Sequence, residues 1–197
     1  MGRPVAFDRQ AAVEQVMHEI WRNGFEACSV KALSEKLGIT RSSFYNAFKS
    51  REALFLEALG CYFSQSPDKV LAKVGSDASV RKVLTRLFRD VCRRRAADPE
   101  GRGCMAVNCV AELVGVDETL GPVLEQAVLT SLDRLEHLLR QAVANGEIED
   151  NGDSRAKALA LQNLLIGLNV MAKVVRSEDD LWAAAKQTLK GLNLYRE

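Results

Sequence analysis

Along most of the chain, apolar residues return every three or four positions, and the two-residue alternation of a half-buried strand is hard to find anywhere. The pattern predicts an all-α protein of about nine helices. Asp8 is placed to cap a first helix reaching about Asn23, with Val13, Val16, Met17, Ile20 and Trp21 as its inner stripe. Gly24 stops that helix, and Phe25 follows as a hydrophobic contact. Ser29 caps a short second helix through Leu37, with Val30, Leu33 and Leu37 on its inner face. Gly38 then turns the chain and Ile39 plugs the turn. Thr40 caps a third short helix over roughly 41–48, and Ser50 caps a fourth that runs toward Ser66 and Pro67.

Longer helices are expected beyond Pro67: one over about 78–97, ending before Asp98-Pro99, and one from Gly103-Cys104 to near Gly115. A long one starts between Asp117 and Pro122 and stops at Asn145-Gly146, and two more cover about 153–176 and 178–192. No fixed-period repeat and no low-complexity tract interrupts them.

The 197 residues, 47% hydrophobic and 27% charged, suit a folded chain with a substantial core. The formal net charge of +1 does not by itself advertise a polyanionic partner. Positive charge is instead concentrated between residues 30 and 51, where Lys31, Lys36, Arg41, Lys49 and Arg51 face Glu35 alone. The five cysteines are odd in number and irregular in spacing, and no CxxC pair is present. This argues against a zinc site or a disulfide framework, and for reduced thiols in a cytoplasmic protein with neither metal nor cofactor. The N-terminal residues lack the apolar run of a leader, and no apolar segment is long enough to span a bilayer, so no membrane partner is expected.

Residues 29–54 combine a short support helix, a glycine turn, an apolar lock at Ile39 and a second helix opening on Arg41, Ser42 and Ser43. That is the logic of a helix-turn-helix, in which small polar residues and a base-capable arginine approach base edges in the major groove. Together with Trp21, Gly24-Phe25, Leu37-Gly38-Ile39-Thr40, Phe44-Tyr45, Phe48, Arg51 and Leu54, the segment resembles the tetracycline-repressor (TetR) family over roughly residues 8–60. It departs from the family's pattern at Ser34, at Ala47, whose side chain offers no phosphate hydrogen bond, and at Arg51 in place of a common lysine.

The resemblance implies a ligand-responsive transcriptional regulator, a repressor released from its operator by a small molecule. Residues 1–60 would form the DNA-binding domain, with its three-helix helix-turn-helix, and residues 61–197 a helical-bundle domain for ligand sensing and dimerisation. The implied partners are palindromic double-stranded DNA, a second copy of the chain, and an effector of unknown identity. Arg41, Ser42 and Ser43 are expected at base edges, and Tyr45 and Asn46 near the backbone, with Asn46 also able to reach a base. Thr40, Lys49, Ser50 and Arg51 are expected at phosphates, and Lys31 among the DNA-binding residues. Arg51 lies in a first helical turn, where a cation opposes the helix dipole, which suits a phosphate ligand better than a stabiliser of its own helix. Phe44 and Phe48 are expected to be core.

The stretch 153–176 is apolar nearly all round. By the resemblance, it and the last helix pair with their symmetry mates, placing Leu161, Leu164, Leu165, Leu168, Met171, Leu181, Trp182 and Leu189 at a dimer interface; the other reading of these positions is an ordinary monomer core. Cys104, Asn108 and Glu112 fall at i, i+4 and i+8 on one helical face, with Met105 and Cys109 beside them, and form a candidate effector pocket. Cys104 reads first as pocket lining or packing. The second reading is a redox- or electrophile-sensing thiol, favoured by its place in a first turn beside Arg102. Arg93, Arg94 and Arg95 read as a solvated helix end. A thiol enzyme built on Cys104 finds no support beyond the thiol itself, so no catalytic residue is assigned. A protein-binding module without DNA is opposed by the intact Lys31, Arg41, Lys49 and Arg51 set.

Overall fold

The computed structural model describes residues 8–197; the segment expected to lack a leader, residues 1–7, lies outside them. Every element among the described residues is helical: α1 (Arg9–Asn23), α2 (Val30–Leu37), α3 (Arg41–Phe48), α4 (Arg51–Gln65), α5 (Val80–Ala96), α6 (Met105–Leu113), α7 (Gly121–Ala144), α8 (Ser154–Met171) and α9 (Glu178–Gly191). A 3-10 segment, Pro67–Lys73, is too short to leave a periodic signal in the sequence. No helix is long and apolar enough to cross a membrane among the described residues.

The chain divides into two compact units between Gln65 and Ser66. The functional boundary expected inside the fourth helix, near Gly60, falls within α4, which stops ahead of Pro67, a residue that disfavours helix in the position before it.

In the first unit the expected caps are made. The side chains of Asp8, Ser29 and Thr40 accept from the backbone N–H groups of Ala11, Ala32 and Ser43 at 3.1, 3.2 and 3.1 Å. Each satisfies one of the donors that a helix start leaves open. α1 and α4 pack face to face through Val16, Met17 and Ile20 against Leu54, Phe55 and Ala58, all fully buried. Phe25 drops into this core edge-on to Phe55, 5.0 Å between centroids, and Trp21 meets Tyr62 in the same way at 5.2 Å.

In the second unit α7 and α8 run antiparallel, since Ser131 meets Gln162 while Asp133 and Glu136, farther along α7, meet Arg155 nearer the start of α8. α5 packs on α9. One core joins Leu84, Leu87 and Phe88 of α5, Leu135 and Leu139 of α7, Leu161 and Leu165 of α8, and Ala185 and Leu189 of α9. Its α5 end is closed from a distance. The Glu147 carboxylate, in the loop after α7, accepts from the Ser79 hydroxyl and from the N–H groups of Val80 and Arg81 at 2.7 and 3.3 Å. An anion at a helix N-terminus satisfies free donors and complements the dipole.

The structure departs from the sequence pattern in two places. α8 ends at Met171 rather than near Arg176, because Lys173 and Val174 donate to Val170 and Met171, three residues back, and tighten the chain into turns. Arg95 is buried rather than solvated, and its Nε donates to Oδ1 of Asn169 in α8.

Candidate nucleic-acid interface

α2 and α3 are joined by three residues. Gly38 takes the left-handed conformation (φ 65°, ψ 31°), its N–H reaching the carbonyl of Glu35, while Ile39 N–H reaches the carbonyl of Ser34 at 3.0 Å. The paired bonds tie off the end of α2 and fix where α3 begins. Leu33, Phe44 and Phe48 are buried, so α2 and α3 each turn an apolar side inward. α3 has two turns, and burying Phe44 and Phe48 on one side turns the rest outward.

That outer side carries Arg41, Ser42, Ser43, Tyr45, Asn46 and Lys49, all exposed. Tyr45 is 51% exposed, with its ring edge-on to Phe44. Thr40 Oγ1 lies 2.9 Å from both the Ser42 and the Ser43 hydroxyls, so three short polar side chains form one hub at the start of α3. Lys31 is exposed on α2, 4.0 Å from Glu35, whereas Lys36 is drawn to Glu19 of α1 at 3.0 Å.

The expected phosphate residues at the other end of α3 separate into different roles. Lys49 is exposed and holds a positive φ of 66°. Ser50 Oγ accepts from Ala53 N–H at 3.0 Å and so caps α4. Arg51 turns inward: its guanidinium lies 4.0 Å over the Phe25 ring and 3.0 Å from the Glu26 carboxylate. It therefore ties α4 to the end of α1, a structural use that the dipole reasoning did not foresee. The Glu52 carboxyl is held below its usual range, chiefly by its own backbone N–H, then by Ser50 and Arg51.

A second clamp leaves no signal in the sequence. Arg9, at the start of α1, pairs through both terminal nitrogens with Glu57 of α4, donates to the Ala47 carbonyl at 3.4 Å, and stacks 5.3 Å from the Phe48 ring. It fixes the C-terminal end of α3 against the first and fourth helices. Its separation from its partners, 38 and 48 residues along the chain, hides it from any local pattern.

Residues 13–58 match the family model described as bacterial regulatory proteins, tetR family, and residues 81–188 match that described as the tetracyclin repressor-like C-terminal domain. The chain belongs to the TetR family. It is a helix-turn-helix transcriptional regulator and not an enzyme. Among its relatives is the HTH-type transcriptional repressor ComR of Escherichia coli, 27% identical over 190 residues, which are 96% of this chain and 90% of ComR. The uncharacterized HTH-type regulator YezE of Bacillus subtilis is 25% identical across 92% of this chain and 94% of its own length. Among solved structures, a cysteine-substituted TetR family regulator CifR, complexed with 26-base-pair double-strand operator DNA, superposes with a TM-score of 0.84 at 30% identity, covering 96% of this chain and 98% of that one.

In the TetR-like C-terminal unit, Met105 and Cys109 are fully buried and Cys104 is 7% exposed, while Asn108 and Glu112 are half-buried on the same side of α6 as Cys104. Asn108 spends an amide donor on the carbonyl of Arg102 at 3.0 Å. The Arg102 guanidinium, expected to favour a Cys104 thiolate, is engaged by Asp98 at 2.9 Å and Glu100 at 3.2 Å. Cys104 is the N-cap residue of α6 and makes no side-chain capping bond. Burial pushes the Cys92 thiol up to about 12, with a smaller contribution from Glu178, which makes that cysteine inert near neutral pH. Two surface clefts lie elsewhere: one of about 400 Å3 between the end of α7 and the start of α8, and one of about 360 Å3 at the α6–α7 turn.

The expected dimer residues divide sharply. Leu161, Leu165, Leu168, Leu181 and Leu189 are between 0 and 6% exposed in the single chain, so they have no surface to offer a partner. They belong to the protomer's own core. Leu164 and Trp182 pack partly against that core, Trp182 beneath the Arg89 guanidinium at 4.8 Å. Met171 alone of the set is half exposed. The apolar residues that α8 and the turn after it leave open are instead Leu159, Val170, Met171 and Val174, the last 81% exposed.

Proposed function

We propose that this regulator binds a palindromic operator in double-stranded DNA as a homodimer, in the cytoplasm, and leaves it when a small molecule occupies the C-terminal unit. The observation that carries this reading is the outer side of α3. Arg41, Ser42, Ser43, Tyr45, Asn46 and Lys49 are exposed together on a short helix whose other side is locked by Phe44 and Phe48. Arg41 and Asn46 carry the bidentate polar groups suited to base edges, Arg to guanine and Asn to adenine. Ser42 and Ser43 allow close approach. Thr40, Tyr45, Lys49, Lys31 and the capped start of α4 at Ser50 suit phosphates. Arg51 acts beneath them as a positioning residue. CifR, solved on operator DNA, and ComR, a repressor, support the same reading.

One such unit reaches one half-site, and a two-fold pair sets two recognition helices about 34–36 Å apart. The open apolar side of α8, with Leu159, Val170, Met171 and Val174, is the surface that a second copy would cover. Cys104, Asn108 and Glu112, with Met105 and Cys109 behind them, are the polar row and wall offered to an effector. For release, the effector must prefer the conformation that does not fit DNA, by about 5.5 kcal/mol to move a population from 99:1 to 1:99.

Selection of bound fragments from sheared genomic DNA tests the reading. Enrichment of one inverted repeat, with half-site centres one helical turn or a multiple apart, is expected. Recovery of fragments without a shared sequence would contradict it.

A further inference from the structure

We infer that the connection between α5 and α6, residues 97–104, is a clip that makes α6 and the last turn of α8 move as one body.

The connection is rigid in itself and fixed to α6. The Asp98 carboxylate accepts from the Arg102 backbone N–H at 2.7 Å and from its guanidinium at 2.9 and 3.2 Å, and Gly101 N–H reaches the Asp98 carbonyl at 3.0 Å. Burial alone would raise the Asp98 carboxyl, but these bonds from Arg102 outweigh it and hold the group below the ordinary carboxylate range. From the α6 side, the Asn108 amide donates to the Arg102 carbonyl at 3.0 Å.

The same few residues are pressed onto α8. Arg176, just beyond it, donates to the carbonyls of Pro99 at 3.0 Å and Glu100 at 3.5 Å. A Cβ at Gly101 would stand 2.5 Å from the Arg176 guanidinium. A Cβ at Gly103 would stand 2.4 Å from the backbone oxygen of Asn169, where nothing flexible can give way. Both glycines also hold positive φ, 61° and 68°, so the close approach and the backbone conformation each demand glycine. Asn169 is held in turn by Arg95 of α5 and by its own amide bond to the Leu165 carbonyl at 2.7 Å. At Gly103, backbone set directly against the Asn169 backbone leaves little room for independent sliding.

The consequence concerns regulation. The clipped turn carries Val170 and Met171, so an event at Cys104, Asn108 or Glu112 on α6 is passed directly to the proposed dimer surface. That consequence rests on the dimer reading above; the clip does not.

Hydrogen exchange on the full chain tests it. In the wild type, the amides of Gly101, Arg102 and Asn108 should share one opening rate with those of Ala172 and Val175. Arg176→Ala should speed both groups together, by roughly five-fold, as expected for losing one ordinary hydrogen bond. Gly103→Ala should do the same more strongly. Gly146→Ala, at φ 66° but with nothing within 4 Å of its Cβ, should leave both groups unchanged. Separate rates in the wild type, a response confined to one group, or a Gly103→Ala variant no worse than Gly146→Ala would overturn the clip. Shared rates in a chain that sediments as a monomer would support the clip and remove the dimer reading.

Discussion

The backbone N–H of Ser50 reaches the carbonyl oxygen of Phe48 at 2.8 Å, closing a γ-turn with Lys49 at its centre (φ 66°, ψ −53°). A non-glycine residue in that conformation is strained, and the strain sits where α3 hands over to α4 beside the proposed phosphate contacts. Lys49→Gly should raise unfolding stability by about 1 kcal/mol, the strain relieved less the entropy glycine loses on folding. Lys49→Ala should stay near the wild type in stability. Both should weaken operator binding alike and reduce the salt slope by about one, the signature of one lost phosphate contact. Chemical denaturation and a salt series of binding isotherms check the two halves separately.

Arg51 should behave in the opposite way. Its guanidinium is committed to Phe25 and Glu26, so Arg51→Ala should cost about 1 kcal/mol of stability through the lost cation–π and ion-pair contacts. The salt slope of DNA binding should remain that of the wild type. A slope reduced by one, with stability intact, would restore Arg51 as a direct phosphate ligand.

Ser34 is 3% exposed in α2, and its hydroxyl oxygen has no hydrogen-bond partner among the described residues. A buried hydroxyl without a partner costs free energy, and alanine is the better helix former. Ser34→Ala should therefore stabilise the protein by about 1 kcal/mol, read as a shift of the denaturation midpoint with an unchanged slope. A loss of stability would mean that the hydroxyl has a role that its surroundings do not reveal.

The caps at Asp8, Ser29 and Thr40, the turn at Gly38 and the burial of Phe44 and Phe48 were legible in the sequence because each depends on residues within a few positions of one another. Arg51 was not. Its direction is set by Phe25 and Glu26, which the end of α1 brings to it. Glu147, which caps α5 from the far side of α7, is invisible for the same reason. In α8 the difficulty is of another kind. A 3.6-residue period identifies the inner side of a helix only when the outer side is polar. Here Leu161, Leu165 and Leu168 face the core while Leu159 and Val170 face out, and composition does not distinguish them.

That division predicts two different failures. Val170→Glu, on the open side of α8, should abolish the dimer in sedimentation while leaving the fold intact. Leu161→Ala, in the core, should cost about 2–5 kcal/mol of stability by opening a cavity, and it should leave a dimer wherever the protein remains folded. A dimer insensitive to Val170→Glu would move the interface elsewhere.

The central claim is that the outer side of α3 reads a specific sequence. The most direct test is fluorescence anisotropy with a duplex taken from upstream of the protein's own gene, against a scrambled duplex, for the wild type and Arg41→Ala across a salt series. The account predicts wild-type preference for the native duplex and steep weakening with salt. It predicts that Arg41→Ala loses about 1–3 kcal/mol on that duplex while keeping its dimer and its weak binding to scrambled DNA. Equal loss on both duplexes, or no loss at all, would contradict it.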